Sequence, residues 1–199
     1  MKAVILAAGE GLRLRPLTSL TPKCLLQLGN VPLLERTIIE AKKAGVKDFI
    51  IVVGYRGEQI RDYFKDGRKL NVKIEYAEQK KRLGTANALE VAEKLVKGSF
   101  LCLSPDSLIS AQVLEKLRRE KPITVCLKEV TSSKGLGIVR IKGDRIKEIL
   151  EKVSQGKALI NTGAYLFDQR IFDAIRKTLP SERGEYELTQ ALNILINQG

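Results

Sequence analysis

The sequence contains no histidine, which removes imidazole as a general base, as a partner to a nucleophile and as a metal ligand. Tryptophan is also absent, and aromatic residues make up only 5% of the chain, with no RNA-stacking motif among them. Cysteine occurs three times, at Cys24, Cys102 and Cys126, among apolar neighbours and without Cys-x-x-Cys spacing. That odd count points to buried thiols and away from a disulfide frame or a zinc site. No apolar run approaches the roughly 20 residues of a membrane span, and the N-terminus lacks the charged-then-apolar design of a secretory signal. The expected location is cytoplasmic, with no membrane partner. Acidic residues run short as well: 23 Asp and Glu against 35 Lys and Arg leave a net charge of +12. The cations are spread along the whole length, their longest clusters being Lys80-Lys81-Arg82 and Arg118-Arg119. Dispersed charge of this kind solvates a surface and attracts small anionic substrates, and no nucleic-acid partner is expected.

What the chain does have is concentrated in its first 26 residues. Residues 3–8 (AVILAA) form a short apolar run, the pattern of a strand buried on both faces of a sheet. The run breaks at once into Gly9-Glu10-Gly11, a turn in which chain without a Cβ can pass close to a ligand. Arg13, Arg15 and Lys23 follow in a loop punctuated by Pro16 and Pro22. A buried strand that ends in a glycine turn carrying positive charge is one way an α/β protein grips phosphate at the carboxyl edge of its sheet.

The rest of the chain extends that pattern. Residues 31–45 have helical apolar spacing and a glycine stop, and 48–55 (DFIIVVGY) read as a second buried strand. A short helix over 58–64, a strand over 72–76, a helix over 84–95 and a strand over 99–103 follow. Successive strand–helix units imply right-handed crossovers and a mainly parallel sheet. After Asp106 the rhythm changes. Residues 123–127, 137–141 and 145–150 are β-rich, with Gly143-Asp144 as a turn signal; 161–167 reads as a strand, and 168–177 and 185–196 as helices. The 199 residues are expected to form one domain, with no internal repeat or low-complexity linker.

The stretch Gly9-Glu10-Gly11-Leu12-Arg13-Leu14-Arg15-Pro16-Leu17-Thr18, followed by Pro22-Lys23, resembles the signature of the sugar-1-phosphate nucleotidylyltransferases. The family pattern reads G-x-G-T-R-L-x-P-x-T and then P-K, so Leu12 stands where Thr is usual. The resemblance implies a Rossmann-like, mainly parallel mixed sheet with helices on both faces, of the nucleotide-diphospho-sugar transferase type. Residues 1–110 would be its nucleotide-binding half and 111–199 its sugar-phosphate-binding half. It further implies transfer of a nucleotidyl group from UTP or dTTP to a sugar-1-phosphate, with Mg²⁺ as cofactor and pyrophosphate released. Such transfers rely on positioning and charge neutralisation, so the missing histidine is no obstacle.

By the same resemblance, Leu6, Ala8, Gly9 and Gly11 would line the nucleotide, Arg13 would contact the triphosphate, and Lys23 would bridge the sugar phosphate and the α-phosphate. Arg15 sits at a variable family position. Gln79 followed by Gly84-Thr85-Ala86-Asn87-Ala88-Leu89 resembles the family's E-Q…G-T-A-x-A-L. A glutamine amide, both donor and acceptor, suits the edge of uracil or thymine; Gly84 would let the chain approach the base, and Thr85 would cap the next helix. Asp106 ends a strand where the family reads G-D and here Pro105-Asp106 stands, offering a carboxylate to Mg²⁺. Gly135 to Val139 resembles the family's Y-G-V-V-like segment, with Gly137 toward the sugar. Glu151-Lys152 resembles its E-K pair, Glu151 for sugar hydroxyls and Lys152 for the sugar phosphate. Asn161-Thr162-Gly163-Ala164-Tyr165 resembles N-x-G-x-Y, with Asn161 toward the sugar. The residues alone leave plainer duties open: helix capping for Thr85, capping near Ala111 for Asp106, and surface solvation for the Glu151-Lys152 pair.

The resemblance also has gaps. Gly184-Glu185-Tyr186-Glu187-Leu188-Thr189 resembles G-E-x-x-L-T-D, but Gln190 replaces the Asp. The family's W-x-D-(I/V)-G-T-like segment, whose Asp is a second carboxylate for Mg²⁺, lies beyond Gly199. Three expectations stay open: a shortened working enzyme, a fragment of a longer one, or a nucleotide- or sugar-phosphate-binding relative with weak or no catalysis. A homo-oligomer is a further option, since a partner subunit could cover an apolar strip near that end.

Overall fold

The computed structural model describes residues 1–133, 136–151 and 156–198. In chain order they form β1 (Lys2–Ala7), a short hairpin of β2 (Gln27–Leu28) and β3 (Val31–Pro32), α1 (Leu33–Lys43), β4 (Asp48–Val53), α2 (Gly57–Phe64) and β5 (Lys73–Glu78). Then come α3 (Thr85–Glu90), β6 (Phe100–Leu103), α4 (Ala111–Leu117), β7 (Thr124–Val130), β8 (Ile138–Lys142), β9 (Arg145–Leu150), β10 (Ala158–Phe167), α5 (Arg170–Ile175) and α6 (Leu188–Gln198).

The parallel part follows from the apolar runs. β5, β4, β1 and β6 lie side by side in that order, all parallel. Because side chains alternate across a sheet, each run feeds two cores. Ala3, Ile5 and Ala7 of β1, with Phe49, Ile51 and Val53 of β4, pack under Leu34 and Ile38 of α1, Ile60 of α2 and Leu114 of α4. Val4, Ile50, Val52, Phe100 and Cys102 face the other way, onto Leu89 of α3, Phe172 of α5 and Leu192 of α6. Phe100 stacks on Phe172 with ring centroids 5.8 Å apart and meets Phe167 edge-on. Helices on both faces of a mainly parallel sheet are the architecture expected from the sequence.

The later strands complete the sheet in antiparallel fashion. β10 pairs with β6 through Ala164–Phe167, with β8 at Ile160, and with β7 along nearly its whole length. β6 and β8 therefore share one edge of β10, and β7 takes the other. A register shift between Asn161 and Tyr165 bends the strand where it passes from one neighbour to the next. β8 and β9 form a hairpin whose turn is the expected Gly143-Asp144.

Several boundaries differ from the sequence expectation. The helix expected over 84–95 stops at Glu90 and continues as a tight 3₁₀ turn, Glu93–Leu95, which delivers Val96 into the core. β5 runs on to Glu78, so Gln79 follows the strand directly. β7 and β10 are longer than the runs over 123–127 and 161–167. Cys24 and Cys102 are buried and free as expected, but Cys126 is only half-buried. Burial pushes the Cys24 thiol up to about 12, which makes it inert at neutral pH. No helix among the described residues is long and apolar enough to cross a membrane.

Candidate active site

The chain leaves β1 toward β4 and β5 on one side and later returns to place β6 on the other. In open α/β sheets, that reversal opens a crevice beyond the carboxyl ends of the two strands. Here it is flanked by Ala8 to Gly11 after β1 and by Ser104 to Asp106 after β6. The order β5-β4-β1-β6 therefore brings the glycine turn and the candidate metal carboxylate to one place.

The contact that joins them is an ion pair between Lys23 Nζ and Asp106 Oδ2. Lys23 opens a 3₁₀ turn, Lys23–Leu25, pinned from below by the buried Cys24. Gly11, at φ +67°, makes room for it: a Cβ there would sit 3.0 Å from the Cβ of Lys23. On the other side, Ser104 Oγ donates to Asp106 Oδ1 at 2.7 Å. Burial pushes the Asp106 carboxyl up, but Lys23 and Ser104 outweigh it and hold the group below the ordinary aspartate range. The helix-capping duty left open for Asp106 falls elsewhere, since Glu40 Oε2 of α1 accepts the Ala111 N–H at 2.8 Å.

The arginines divide into two kinds. Arg13 is exposed and, among the described residues, has no hydrogen-bond or ion-pair partner. Arg15 instead pairs with one oxygen of the Glu10 carboxylate, and Arg82 pairs with the other. The Arg82 guanidinium also lies 5.8 Å from the centre of the Tyr55 ring. Tyr55 donates its hydroxyl to the carbonyls of Thr18 and Ser19, and Thr18 Oγ1 donates to the Gly11 carbonyl. The signature loop is thereby clasped from the side by the segment after β4.

At the base end, Gln79 is buried, and its Nε2 donates to the Gly84 carbonyl at 2.9 Å and to Asn87 Oδ1 at 3.0 Å. One reading of this stretch needs correction. Thr85 does not cap α3, whose N-cap is Gly84 with no side-chain bond; its Oγ1 accepts the N–H of Leu188, the first residue of α6. Gly84 is also required by the protein itself: at φ +99°, a Cβ there would lie 2.5 Å from the Tyr186 carbonyl oxygen. Gly84 and Thr85 thus bind the segment before α6 to the loop after β5. Gln190, which stands at the family's Asp position, accepts the Leu179 N–H and plays no part at the crevice.

Among the candidate sugar-binding residues, Gly137 and Asn161 meet through a backbone bond of 3.2 Å from the Asn161 N–H, and the Glu151 carboxylate lies 3.5 Å from where a Gly137 Cβ would be. The Asn161 amide is used inside the bend of β10, donating to Tyr165 Oη at 2.7 Å and accepting the Gly163 N–H at 3.0 Å. The same bend touches the segment that carries Asp106, because Ser104 N–H donates to the Gly163 carbonyl at 2.8 Å. Lys152 and Gly135 lie outside the described residues. The sequence reading missed Glu10, Arg82 and Ser104 as parts of the site. A Ser two residues before Asp106 and a cation directly before Leu83-Gly84-Thr85 were the available signals. Among the described residues, no group of three or more Cys, Asp or Glu could hold a metal unaided.

Comparison with known proteins gives a family and a fold. A family model described as nucleotidyl transferase matches residues 2–199. The bifunctional protein GlmU of Methanococcus maripaludis is 38% identical over 203 residues, which cover 100% of this chain and 48% of that protein. The chain thus spans about half the length of the GlmU relatives it matches. The UTP–glucose-1-phosphate uridylyltransferase AglF of Haloferax volcanii is 33% identical, with 100% of this chain and 85% of that protein covered. A solved Bacillus anthracis structure, provisionally assigned as a glucose-1-phosphate thymidylyltransferase and in complex with a sucrose, superposes with a TM-score of 0.88. It shares 30% identity, and 100% of this chain and 84% of that one are covered.

Proposed function

This chain belongs to the nucleotidyl transferase family, among its sugar-1-phosphate nucleotidylyltransferases, and on that premise we propose that it moves a nucleotidyl group from UTP or dTTP to a sugar-1-phosphate. An oxygen of the sugar phosphate attacks the α-phosphorus, the bond to the bridging oxygen of the β-phosphate breaks, and pyrophosphate leaves. The observation that carries this reading is the Lys23–Asp106 ion pair across the crevice. It brings together a cation able to span two phosphates and a carboxylate held in its charged form.

Arg13, which has no partner among the described residues, receives the triphosphate. Lys23 exchanges Asp106 for the sugar phosphate and the α-phosphate, neutralising charge as the new bond forms. Gln79 is fixed through its Nε2, which leaves its carbonyl oxygen for the ring N–H of a pyrimidine. Leu6, Ala8, Gly9 and Gly11 supply the wall beneath the nucleotide. Gly137, Glu151 and Asn161 face the sugar, and Lys152 takes its phosphate. The donor set fits Mg²⁺ in a limited way: Asp106 is one hard carboxylate, and this ion completes its shell with substrate phosphates and water. When bound, Mg²⁺ would supply charge neutralisation on the phosphates. Residues 1–110 serve the nucleotide and 111–199 the sugar phosphate, in a cytoplasmic setting.

The test is pyrophosphate release with Mg²⁺ across UTP, dTTP, ATP, GTP and CTP against a panel of sugar-1-phosphates. Turnover with UTP or dTTP, lost in Arg13→Ala and Asp106→Ala, is the expected result. Triphosphate binding without turnover would favour a catalytically silent binding relative.

A further inference from the structure

The double ion pair on Glu10 has no role in the transfer described above. Glu10 sits between Gly9 and Gly11 in the turn that follows β1, at the mouth of the crevice. Only 17% of its side chain is exposed, and each carboxylate oxygen is taken by a different arginine. Arg15 belongs to the signature loop, whereas Arg82 comes from the loop after β5, 72 residues away. The pair of contacts therefore spans the gap between the loop that meets phosphate and the loop that meets base. One carboxylate carries one negative charge, so a net positive charge remains there. Both guanidinium groups stay about half exposed and can turn toward an incoming ligand. The Tyr55 ring limits where Arg82 can go.

We propose that Arg82 and Arg15 grip the phosphates of the nucleoside triphosphate, and that Glu10 is the internal anion that holds them in place until the triphosphate displaces it. The inference rests on the nucleotidyl-transfer reading of the same crevice. Its logic repeats that of Lys23, which is held by Asp106. Guanidinium groups form paired hydrogen bonds with phosphate oxygens, and a triphosphate offers more charge and more acceptors than one carboxylate. The exchange is therefore downhill for the triphosphate and poor for a ligand with a single phosphate. Arg82 is in this view a positioning residue for the triphosphate, and its link across the mouth fixes the base loop against the phosphate loop.

The experiment measures equilibrium binding of labelled UTP, dTTP and UMP to the full chain, together with the KM of each substrate, for the parent, Arg82→Ala, Arg82→Lys, Glu10→Gln and Glu10→Gln/Arg82→Ala. Arg82→Ala is expected to weaken triphosphate binding about 10-fold, the ordinary cost of a lost charge-assisted bond. UMP binding and the KM for sugar-1-phosphate should stay within twofold, and Arg82→Lys should recover only part of the loss. Glu10→Gln is expected to tighten triphosphate binding, because no internal anion has to be displaced. In the double variant the Arg82 loss should persist; if it disappears, Arg82 acts only by holding Glu10, and the proposal fails. Equal weakening of UTP and UMP would overturn it as well. A parent chain that binds triphosphate without turnover would sink the transfer reading and leave this one standing, whereas a parent that binds none would sink both.

Discussion

β4 and β9 are strands of equal length that use their side chains in opposite ways. β4 reads DFIIVV and is buried from Phe49 to Val53, with helices over both faces. β9 reads RIKEIL and alternates, its Arg145, Lys147 and neighbouring β8 residues Arg140 and Lys142 facing water. The first pattern belongs to a parallel sheet enclosed by crossover helices, and the second to an antiparallel hairpin with one wet face. The residues proposed to meet phosphate follow the enclosed strands, where packing on both faces fixes the register of β1 and β6. Gly137 and Glu151, which the proposal turns toward the sugar, flank the β8–β9 hairpin, which packs through one face only.

That contrast can be probed by how much each region loses when cut. Phe100→Ala removes a fully buried ring from between Phe167 and Phe172 and should cost about 3–5 kcal/mol, read as a lowered urea midpoint. Lys23→Ala should lower turnover by about 10²–10³-fold while the midpoint barely moves, since both partners of its ion pair are about one-third exposed. A stability loss on the scale of Phe100→Ala would mean that the pair is structural.

The same substitution should raise the Asp106 titration midpoint, followed by carboxyl carbon NMR, because Lys23 is the main influence holding it down against burial. In the parent the folded midpoint lies below the unfolded value of about 3.9. The pair's contribution is therefore fully present above that pH and fades as pH falls through the folded midpoint. Thr85→Val should cost about 1 kcal/mol by stranding the Leu188 N–H at the start of α6. Ile141→Ala, at an exposed hairpin position, should change stability by less than about 0.5 kcal/mol. A larger loss there would show that the hairpin is packed against something and would weaken the contrast.

The parallel half was legible because its signals are local. Residues 3–8 and 48–55 are apolar runs that could be little else but enclosed strands, and each ends where a turn residue follows. Lys23 and Asp106 were each singled out through the family resemblance, and the strand order that brings them together came from the structure. What escaped the reading depends on partners far apart in sequence. Thr85 sits where a cap belongs, yet its bond goes to a helix 103 residues away. Gly84 has the backbone of a flexible loop, and only the Tyr186 carbonyl shows why no Cβ fits. Arg82 looks like one more surface cation in Lys80-Lys81-Arg82 until Glu10 is placed beside it.

The position of β10 has a consequence for how the chain is made. β6 is paired by β1 on one edge and by β10 on the other, and β10 begins only at Ala158. During synthesis, the four parallel strands are complete once Leu103 has emerged, while the outer edge of β6, apolar along its whole length, stays bare. At ~5–20 residues per second, several seconds pass before its partner exists. A bare edge of that kind invites pairing with another chain. The nascent protein is therefore most open to aggregation midway through translation, and pausing between residues 103 and 158 should lower its soluble yield.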